Sequence, residues 1–389
     1  MIQDFDVPSR RHSLISRHDI DQADLPGIVE AIDVMLNALK VEPLLSEEGL
    51  DRQLRIIDEN LEALAAISAD RRRYPEIAQV KIVKPVFITG LGRSGTTFLH
   101  SLLSRDPANR CPLGWESRFP SPPPEATSYD TDPRIARAEQ HFRSKPAGPW
   151  QDTTNLEMQK KHMSGPLLTE EDNALMRISM RTLPGGAGPR ILPYFHWLLE
   201  QDSKLQYGMH KRFLQQLQWR NPRERWLLKA PTHMHNLPAL FATYPDAMIV
   251  WCHRDPAEAI SSMTSVVSTL RSSFMTVVDP PAIALEFINY WSPGVIRGMA
   301  FRRAHQEIPI FDIGHREIIT DPLESVRRIY AHFGFPLDDI AKRRLTQFVE
   351  ENPREKLGAH THGIKRYGLT SSRIHEIFQD YITTFAQYI

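Results

Sequence analysis

The sequence has few cysteines, no long apolar run and no excess of one charge. Its 389 residues include two cysteines, Cys111 and Cys252, which excludes a disulfide framework and a zinc site made of four cysteines. Forty-seven Lys and Arg balance forty-seven Asp and Glu, so bulk charge gives no reason to expect nucleic acid or an anionic membrane as a partner. No stretch approaches the roughly 18 apolar residues of a membrane span, and the first residues lack the apolar run of a signal peptide. We therefore expect a soluble, cytoplasmic protein.

The first 80 residues predict a helical arm. Apolar residues recur at steps of three and four from Leu50 to Ile67, which is typical of a helix with one buried stripe. Arg71, Arg72 and Arg73 follow near its C-terminal end, where cations suit the helix dipole. We expect residues 1–80 to pack against the rest of the chain or to form a contact in a homodimer.

From residue 81 onward, short apolar runs alternate with helical segments. The runs lie at residues 85–90, 226–228, 248–252 and 308–313. They are bounded as buried parallel strands are, and the proline in the last run favours an edge position. This alternation predicts an α/β domain with a central, mostly parallel sheet over residues 81–389. Residues 110–225 are rich in proline, aromatic residues and histidine, and we predict that they form a helical insertion over the carboxyl edge of the sheet, where ligands bind.

A glycine-rich turn follows the first apolar run and begins a helix. Backbone amides in such a turn point inward, and the start of the helix favours an anion. The turn keeps the Gly-x4-Gly spacing of a Walker A loop from Gly90 to Gly95, but Thr96 stands where the lysine that contacts the β- and γ-phosphates should be. We predict a phosphate of lower charge, bound without magnesium. The candidate ligands are Arg93, Ser94, Gly95, Thr96 and Thr97.

The segment Arg93–Thr97 resembles the 5′-phosphosulfate loop of sulfotransferases that use 3′-phosphoadenylyl sulfate (PAPS), in particular the bacterial branch related to tyrosylprotein sulfotransferases. The resemblance implies a P-loop-like three-layer fold and PAPS as cosubstrate. It also implies the 3′,5′-bisphosphate PAP as product and metal-free transfer to a hydroxyl group. These implications are expectations for this chain.

The resemblance further implies a second basic site for the 3′-phosphate of the donor. Arg254 follows the third apolar run, and Ser262 lies eight residues later, at the spacing that the family has. Between them, Asp255 and Pro256 predict the start of a helix. Near the C-terminus, Lys365 and Arg366 loosely resemble the basic loop that closes over the same phosphate, with an ordinary surface tail as the alternative.

The same resemblance suggests residues for the transfer step. Lys229-Ala-Pro, at the end of the second apolar run, matches a catalytic Lys-x-Pro, so Lys229 is expected to stabilise the leaving oxygen. Glu116 and Arg118 match a Glu-x-Arg, in which the glutamate is the base and the arginine contacts the acceptor or the transition state.

Several alternatives remain open. His100 is a second candidate for the base. His162 is another, in an acidic part of the insertion with Glu170, Glu171 and Asp172, and these residues are also candidate acceptor contacts. His233 could contact the acceptor or orient Lys229. The aromatic insertion suits an apolar or phenolic alcohol as small-molecule acceptor, although a carbohydrate is also open. The alternative functions are a P-loop kinase or NTPase and a nucleotide-binding module without turnover.

Overall fold

A parallel sheet forms the centre of the molecule. The computed structural model describes residues 4–143, 165–182, 188–353 and 363–389. The strands are β1 (Val86–Gly90), β2 (Asn109–Arg110), β3 (Arg225–Lys229), β4 (Met248–His253) and β5 (Ile310–Gly314). They lie in the order β2-β3-β1-β4-β5, and every pairing between them is parallel. The predicted α/β fold with a mostly parallel sheet is confirmed.

The central strands β1, β3 and β4 are mostly apolar because both faces of the sheet are covered. Successive side chains of a strand point to opposite faces. In β1, Val86 and Ile88 join a core with Leu99 on one side, whereas Phe87 joins a larger core on the other side, which includes Ile57. The fold therefore has three layers, with helices on both faces of the sheet.

Helices account for most of the described chain. The N-terminal arm contains α1 (Val7–Ile15), α2 (Leu25–Val41) and α3 (Glu47–Arg73). The following helices are α4 (Thr96–Leu103), α5 (Gly114–Arg118), α6 (Pro133–Arg143), α7 (Asp172–Met176), α8 (Leu192–Leu199), α9 (Lys204–Gln218), α10 (Leu237–Thr243), α11 (Pro256–Arg271), α12 (Pro280–Ala304), α13 (His315–Thr320), α14 (Pro322–Phe333), α15 (Asp339–Glu351), α16 (Ser371–Ile377) and α17 (Gln379–Thr384). Turns of 3-10 helix lie at Pro75–Gln79, Tyr129–Thr131, Arg177–Ser179, Pro231–His235, Ile364–Tyr367 and Ala386–Tyr388.

The arm packs directly onto the rest of the chain. Ser46 caps α3 by accepting a hydrogen bond from the amide of Gly49 at 2.9 Å. The apolar stripe predicted for this helix is buried, and Ile57, Leu61 and Leu64 belong to the same core as one face of the sheet. The arm is thus held by the hydrophobic core of the domain.

Capping residues fix several helix ends. Asp255 accepts a hydrogen bond from the amide of Ala257 at 2.7 Å and begins α11, and Asp321 accepts from the amide of Glu324 at 3.1 Å and begins α14. Gly334 ends α14 with a φ of 70°, a conformation that favours glycine. The capped turn after β4 fixes the direction of the chain where the second basic site is predicted.

The strand order brings the predicted site residues to one edge of the sheet. β1 lies between β3 and β4, and all three run in the same direction. Their carboxyl ends are therefore adjacent, with the glycine-rich turn after β1, Lys229 at the end of β3 and Arg254 directly after β4. The described part of residues 110–225 contains α5 to α9 and half of β2, a two-residue strand that the sequence did not predict.

Candidate active site

The turn between β1 and α4 has a backbone that only certain residues tolerate. Gly90 has a φ of 145° and Gly95 a φ of 89°. A Cβ atom at Gly90 would lie 2.1 Å from the carbonyl oxygen of Cys252, so no other residue fits there. Ser94 is fully buried, and its Oγ has no hydrogen-bond partner among the residues that the structure describes. An unpaired hydroxyl in a glycine turn at a helix start is suited to an oxygen atom of an anion.

Two arginines meet beside this turn. The Arg93 Nε donates a hydrogen bond to Ser262 Oγ at 3.2 Å, and the Arg254 Nη1 donates to the Arg93 carbonyl oxygen at 2.7 Å. Burial lowers the pKa of Arg93, the neighbouring charge of Arg254 lowers it further, and Glu171 opposes both effects. The two guanidinium groups thus repel each other in a partly desolvated place. A bound anion would offset this repulsion.

Lys229 extends from the end of β3 to the same turn. Its side chain is 1% exposed, its Nζ donates to Thr97 Oγ1 at 3.2 Å, and it forms an ion pair with Glu171. The side chain of Glu171 is 23% exposed, whereas that of Lys229 is buried. The structure therefore joins the glycine-rich turn, an ammonium group and a partly exposed glutamate at one edge of the sheet.

Glu116, predicted as the base, lies in a different environment. Its side chain is fully buried, and it forms a bidentate ion pair with Arg110 at 2.6 and 3.2 Å. It also accepts hydrogen bonds from the Leu113 amide at 3.0 Å and from the Tyr129 hydroxyl at 2.9 Å. Burial alone would lower the pKa of Arg110, but Glu116 raises it above its usual value. Both oxygens of Glu116 are thus engaged by protein groups, which favours a structural role.

Arg118, predicted to contact the acceptor, forms an ion pair with Glu59 of the N-terminal arm. Arg177 lies near it and donates to the Ser117 carbonyl oxygen at 3.2 Å. Burial lowers the pKa of Arg177 to about 10, and the charge of Arg118 contributes, whereas Glu170 and Glu59 raise it. The arm therefore supplies an anion to a pair of arginines next to the segment that carries Glu171.

Two of the three candidate histidines, His100 and His233, are buried. His100 lies in α4, and its Nε2 is 3.1 Å from the Leu227 carbonyl oxygen. Burial lowers its pKa to about 4, so it is neutral at physiological pH and donates to the backbone. His233 has no exposed surface and bonds to Tyr207 and Asp172. The hydrogen bonds of His100 and His233 favour structural roles for both residues over direct contact with a substrate.

The C-terminal basic residues lie on the surface. Lys365 and Arg366 are exposed, and they belong to the 3-10 turn that packs against α11, the helix that carries Ser262. The structure thus brings this segment to the helix of the second basic site. His162 lies outside the described residues.

Sequence reasoning missed the prominence of Glu171. It lies 58 positions before Lys229, and the acidic run Glu170–Asp172 resembles an ordinary helix start. The available signal was the acidic run itself, in which Glu171 directly precedes the helix that begins at Asp172.

Neither metal sites nor membrane helices are found in the described ranges. Within residues 4–143, 165–182, 188–353 and 363–389, no group of three or more His, Cys, Asp or Glu side chains could hold a metal ion. No helix in these ranges is long and apolar enough to cross a bilayer.

Comparisons with known proteins agree with this geometry. A family model described as "Sulfotransferase family" matches residues 85–339. The chain is 23% identical over 313 residues to the omega-hydroxy-beta-dihydromenaquinone-9 sulfotransferases Stf3 of Mycobacterium bovis and Mycobacterium tuberculosis. These alignments cover 76% of this chain and 74% of each relative.

Two solved structures resemble the whole fold. The crystal structure of sulfotransferase STF1 from Mycobacterium tuberculosis H37Rv has a TM-score of 0.81 at 29% identity, and the match covers 98% of this chain and 100% of that one. The crystal structure of sulfotransferase STF9 from Mycobacterium avium has a TM-score of 0.85 at 26% identity, with 98% of each chain covered.

Proposed function

The chain belongs to the sulfotransferase family, and we propose that it transfers a sulfuryl group from PAPS to the hydroxyl group of a small apolar acceptor. The observation that carries this proposal is the contact of Lys229 with both Thr97 of the glycine-rich turn and Glu171. This contact places the proposed anion loop, a cation for the leaving group and a proton acceptor next to one another.

The donor would be held at two places by groups that fit its phosphates. The turn offers backbone amides and the hydroxyls of Ser94, Thr96 and Thr97 to the 5′-phosphosulfate. Arg254 and Ser262 would bind the 3′-phosphate, and the contact of Arg93 with Ser262 links the two places. The buried, unpaired Oγ of Ser94 supports this fit, because such a hydroxyl costs stability unless a ligand satisfies it. Lys365 and Arg366 are candidates for closing over the 3′-phosphate.

The transfer itself would use Glu171 and Lys229. The acceptor oxygen forms a bond to sulfur, its proton passes to the Glu171 carboxylate, and the bond from sulfur to the phosphate oxygen breaks with its electron pair on that oxygen. Lys229 stabilises the negative charge that develops there. We assign the base to Glu171 rather than Glu116 because its side chain is 23% exposed and meets the lysine. In this scheme protein cations neutralise the charge, so no divalent ion is required.

The proposed acceptor class is supported by the aromatic composition of residues 110–225 and by the relatives. The Stf3 relatives are named for an omega-hydroxylated dihydromenaquinone, an apolar molecule with a hydroxyl group. We propose a hydroxylated prenyl or aromatic compound as the acceptor of this chain.

Nucleotide binding and turnover test the proposal separately. We expect PAP to raise the unfolding temperature by several degrees in magnesium-free buffer, because a ligand at about 100 times its Kd adds about 2.7 kcal/mol to the free energy of unfolding. ATP with magnesium should leave the temperature unchanged. Release of PAP from PAPS is then measured with an omega-hydroxylated prenylquinone, a phenol and trehalose, and we expect the prenylquinone to be sulfated fastest. Stabilisation by ATP with magnesium and none by PAP would replace the proposal with a kinase or NTPase.

A further inference from the structure

A buried chain of polar side chains lies directly behind the ion pair of Lys229 and Glu171. Asp172 has no exposed surface and lies 2.8 Å from His233 Nε2. The other nitrogen of this ring, Nδ1, lies 2.8 Å from the Tyr207 hydroxyl. The second oxygen of Asp172 faces His210 Nε2 at 3.7 Å. A Tyr–His–Asp triad is therefore buried at the end of β3.

One protonation state satisfies the hydrogen bonds of this triad. Burial alone would raise the pKa of Asp172, but the two imidazoles lower it below its usual range, so the residue is an anion. Burial lowers the pKa of His233, so its ring is neutral. A neutral ring protonated on Nε2 donates to Asp172 and accepts from the Tyr207 hydroxyl on Nδ1. The triad is thus fixed in one tautomer and one orientation.

The triad joins the two segments that carry the transfer residues. Asp172 directly follows Glu171, and His233 lies four residues after Lys229. A second contact between the same segments links Thr232 Oγ1 to Asn173 Oδ1 at 3.0 Å. We infer that Asp172, through His233, is a positioning residue that holds the Glu171 carboxylate on the Lys229 ammonium group. This inference rests on the proposed function for its catalytic consequence.

The remaining contacts explain why this link is needed. The segment after Lys229 is already anchored to β1, because Thr89 Oγ1 donates to the Pro231 carbonyl oxygen at 3.0 Å and accepts from the Met234 amide at 3.1 Å. The Glu171 segment is tied on its other side to the α5 region, where the Glu170 amide donates to the Pro112 carbonyl oxygen at 2.9 Å. Asp172 is thus the buried charge that connects the carboxylate to the anchored lysine segment.

The molecule offers a matched control for this link. Tyr381, His253 and Asp312 form the same triad at the end of β4, with distances of 3.1 Å from the tyrosine hydroxyl to Nδ1 and 2.9 Å from Nε2 to the carboxylate. This second triad adjoins Arg254 instead of Lys229. Loss of either carboxylate leaves a buried histidine without its acceptor, but at different parts of the site. Loss of Asp312 also removes the bidentate partner of Arg302.

Hydrogen exchange tests the placement without any substrate. In Asp172→Ala, we expect amide exchange to accelerate at least tenfold in peptides covering 170–176 and 230–236, with β5 unchanged. In Asp312→Ala, we expect the acceleration at the end of β4 and in 378–389 instead. Asp172→Asn, which keeps an oxygen for His233, should exchange at intermediate rates and replaces the alanine variant if that one does not fold. Unchanged exchange at 170–176, or an equal increase throughout the chain, would overturn the inference.

A double-mutant cycle tests the catalytic consequence. We expect Asp172→Ala to lower kcat about 100-fold, because misplacing a catalytic group by about 1 Å costs that much. The Kd for PAP should stay within twofold. In a Glu171→Gln background the same change should lower kcat less than threefold, since the residue acts through Glu171. Equal losses in both backgrounds would contradict the inference. A wild-type chain that neither binds PAP nor releases it from PAPS would contradict the proposed function instead, while the exchange experiment still decides the placement.

Discussion

A carboxylate can accept a proton from a substrate when the substrate can reach its oxygens. The side chain of Glu171 is 23% exposed and lies against Lys229, which supports its proposed role as the base. The oxygens of Glu116 are instead buried and bound to Arg110, Leu113 and Tyr129. The chemical role of each glutamate therefore depends on its surroundings, although both are acids in the same half of the sequence.

This difference predicts opposite results for two isosteric changes. Glu171→Gln should lower kcat by about 100-fold or more, because the amide cannot take the acceptor proton, while the Kd for PAP stays nearly the same. It should lower the free energy of unfolding less than Glu116→Gln does, because the Glu171 side chain is partly exposed. Glu116→Gln should lower the free energy of unfolding by roughly 3–5 kcal/mol, because the buried Arg110 loses its counter-charge. Steady-state kinetics, PAP calorimetry and urea unfolding measure these quantities. A stable Glu116→Gln chain without turnover, beside a fully active Glu171→Gln chain, would reverse the assignment.

At the scale of elements, the C-terminal helices support the second basic site. Tyr381 of α17 bonds to His253, and the ring of Phe385 stacks on the same imidazole with centroids 4.1 Å apart. His375 of α16 lies 2.8 Å from Asp255, the cap of α11. Arg254 lies between these two anchored neighbours. The C-terminal segment therefore fixes the backbone on both sides of the arginine that is proposed to bind the 3′-phosphate.

We expect Tyr381→Phe to weaken PAP binding about fivefold without lowering kcat at saturating PAPS. The change removes the hydrogen bond to His253 Nδ1, worth about 1 kcal/mol, together with the contact of the hydroxyl with the Arg254 backbone. Calorimetric titration with PAP measures the loss. Tyr207→Phe is the matched control, since it removes the equivalent hydroxyl beside His233 and should leave the Kd for PAP unchanged. Equal weakening in both variants would mean that the effect is not local to Arg254.

Elements with strong local signals could be predicted from the sequence. The glycine-rich turn, the capped start of α11 and the apolar strands each depend on residues close together in the chain, so their positions follow from local chemistry. Glu171 could not be predicted in the same way, because its contact with Lys229 joins residues 58 positions apart. The short strand β2 was missed for a similar reason, since two residues give no periodic pattern.

At the scale of the whole molecule, the core contains several histidines that folding keeps neutral. Burial lowers the pKa of His100 to about 4 and that of His235 to about 3. An unfolded chain returns such rings to an ordinary pKa near 6.5. Between pH 6.5 and 4 the unfolded state therefore binds more protons than the folded state, and acidification favours unfolding. Asp172 affects the free energy of unfolding only at lower pH. Because its pKa is lowered in the folded protein, its contribution to stability is lost only as the pH falls below the usual pKa range of an aspartate.

The histidines thus predict that the free energy of unfolding falls as the pH is lowered from 6.5 to 4. Each ring that stays neutral on folding contributes a slope of about 1.4 kcal/mol per pH unit in this window. The amide of His100→Gln can still donate to the Leu227 carbonyl oxygen. In this variant we expect the slope of the free energy of unfolding against pH to fall by about 1.4 kcal/mol per pH unit, the contribution of one histidine. His12→Gln should keep the wild-type slope, because that side chain is exposed and is not buried on folding. Urea unfolding at half-unit steps of pH measures the slopes. If His100→Gln kept the full slope, His100 would have to be charged inside the folded protein, and its role as a neutral donor to β3 would be wrong.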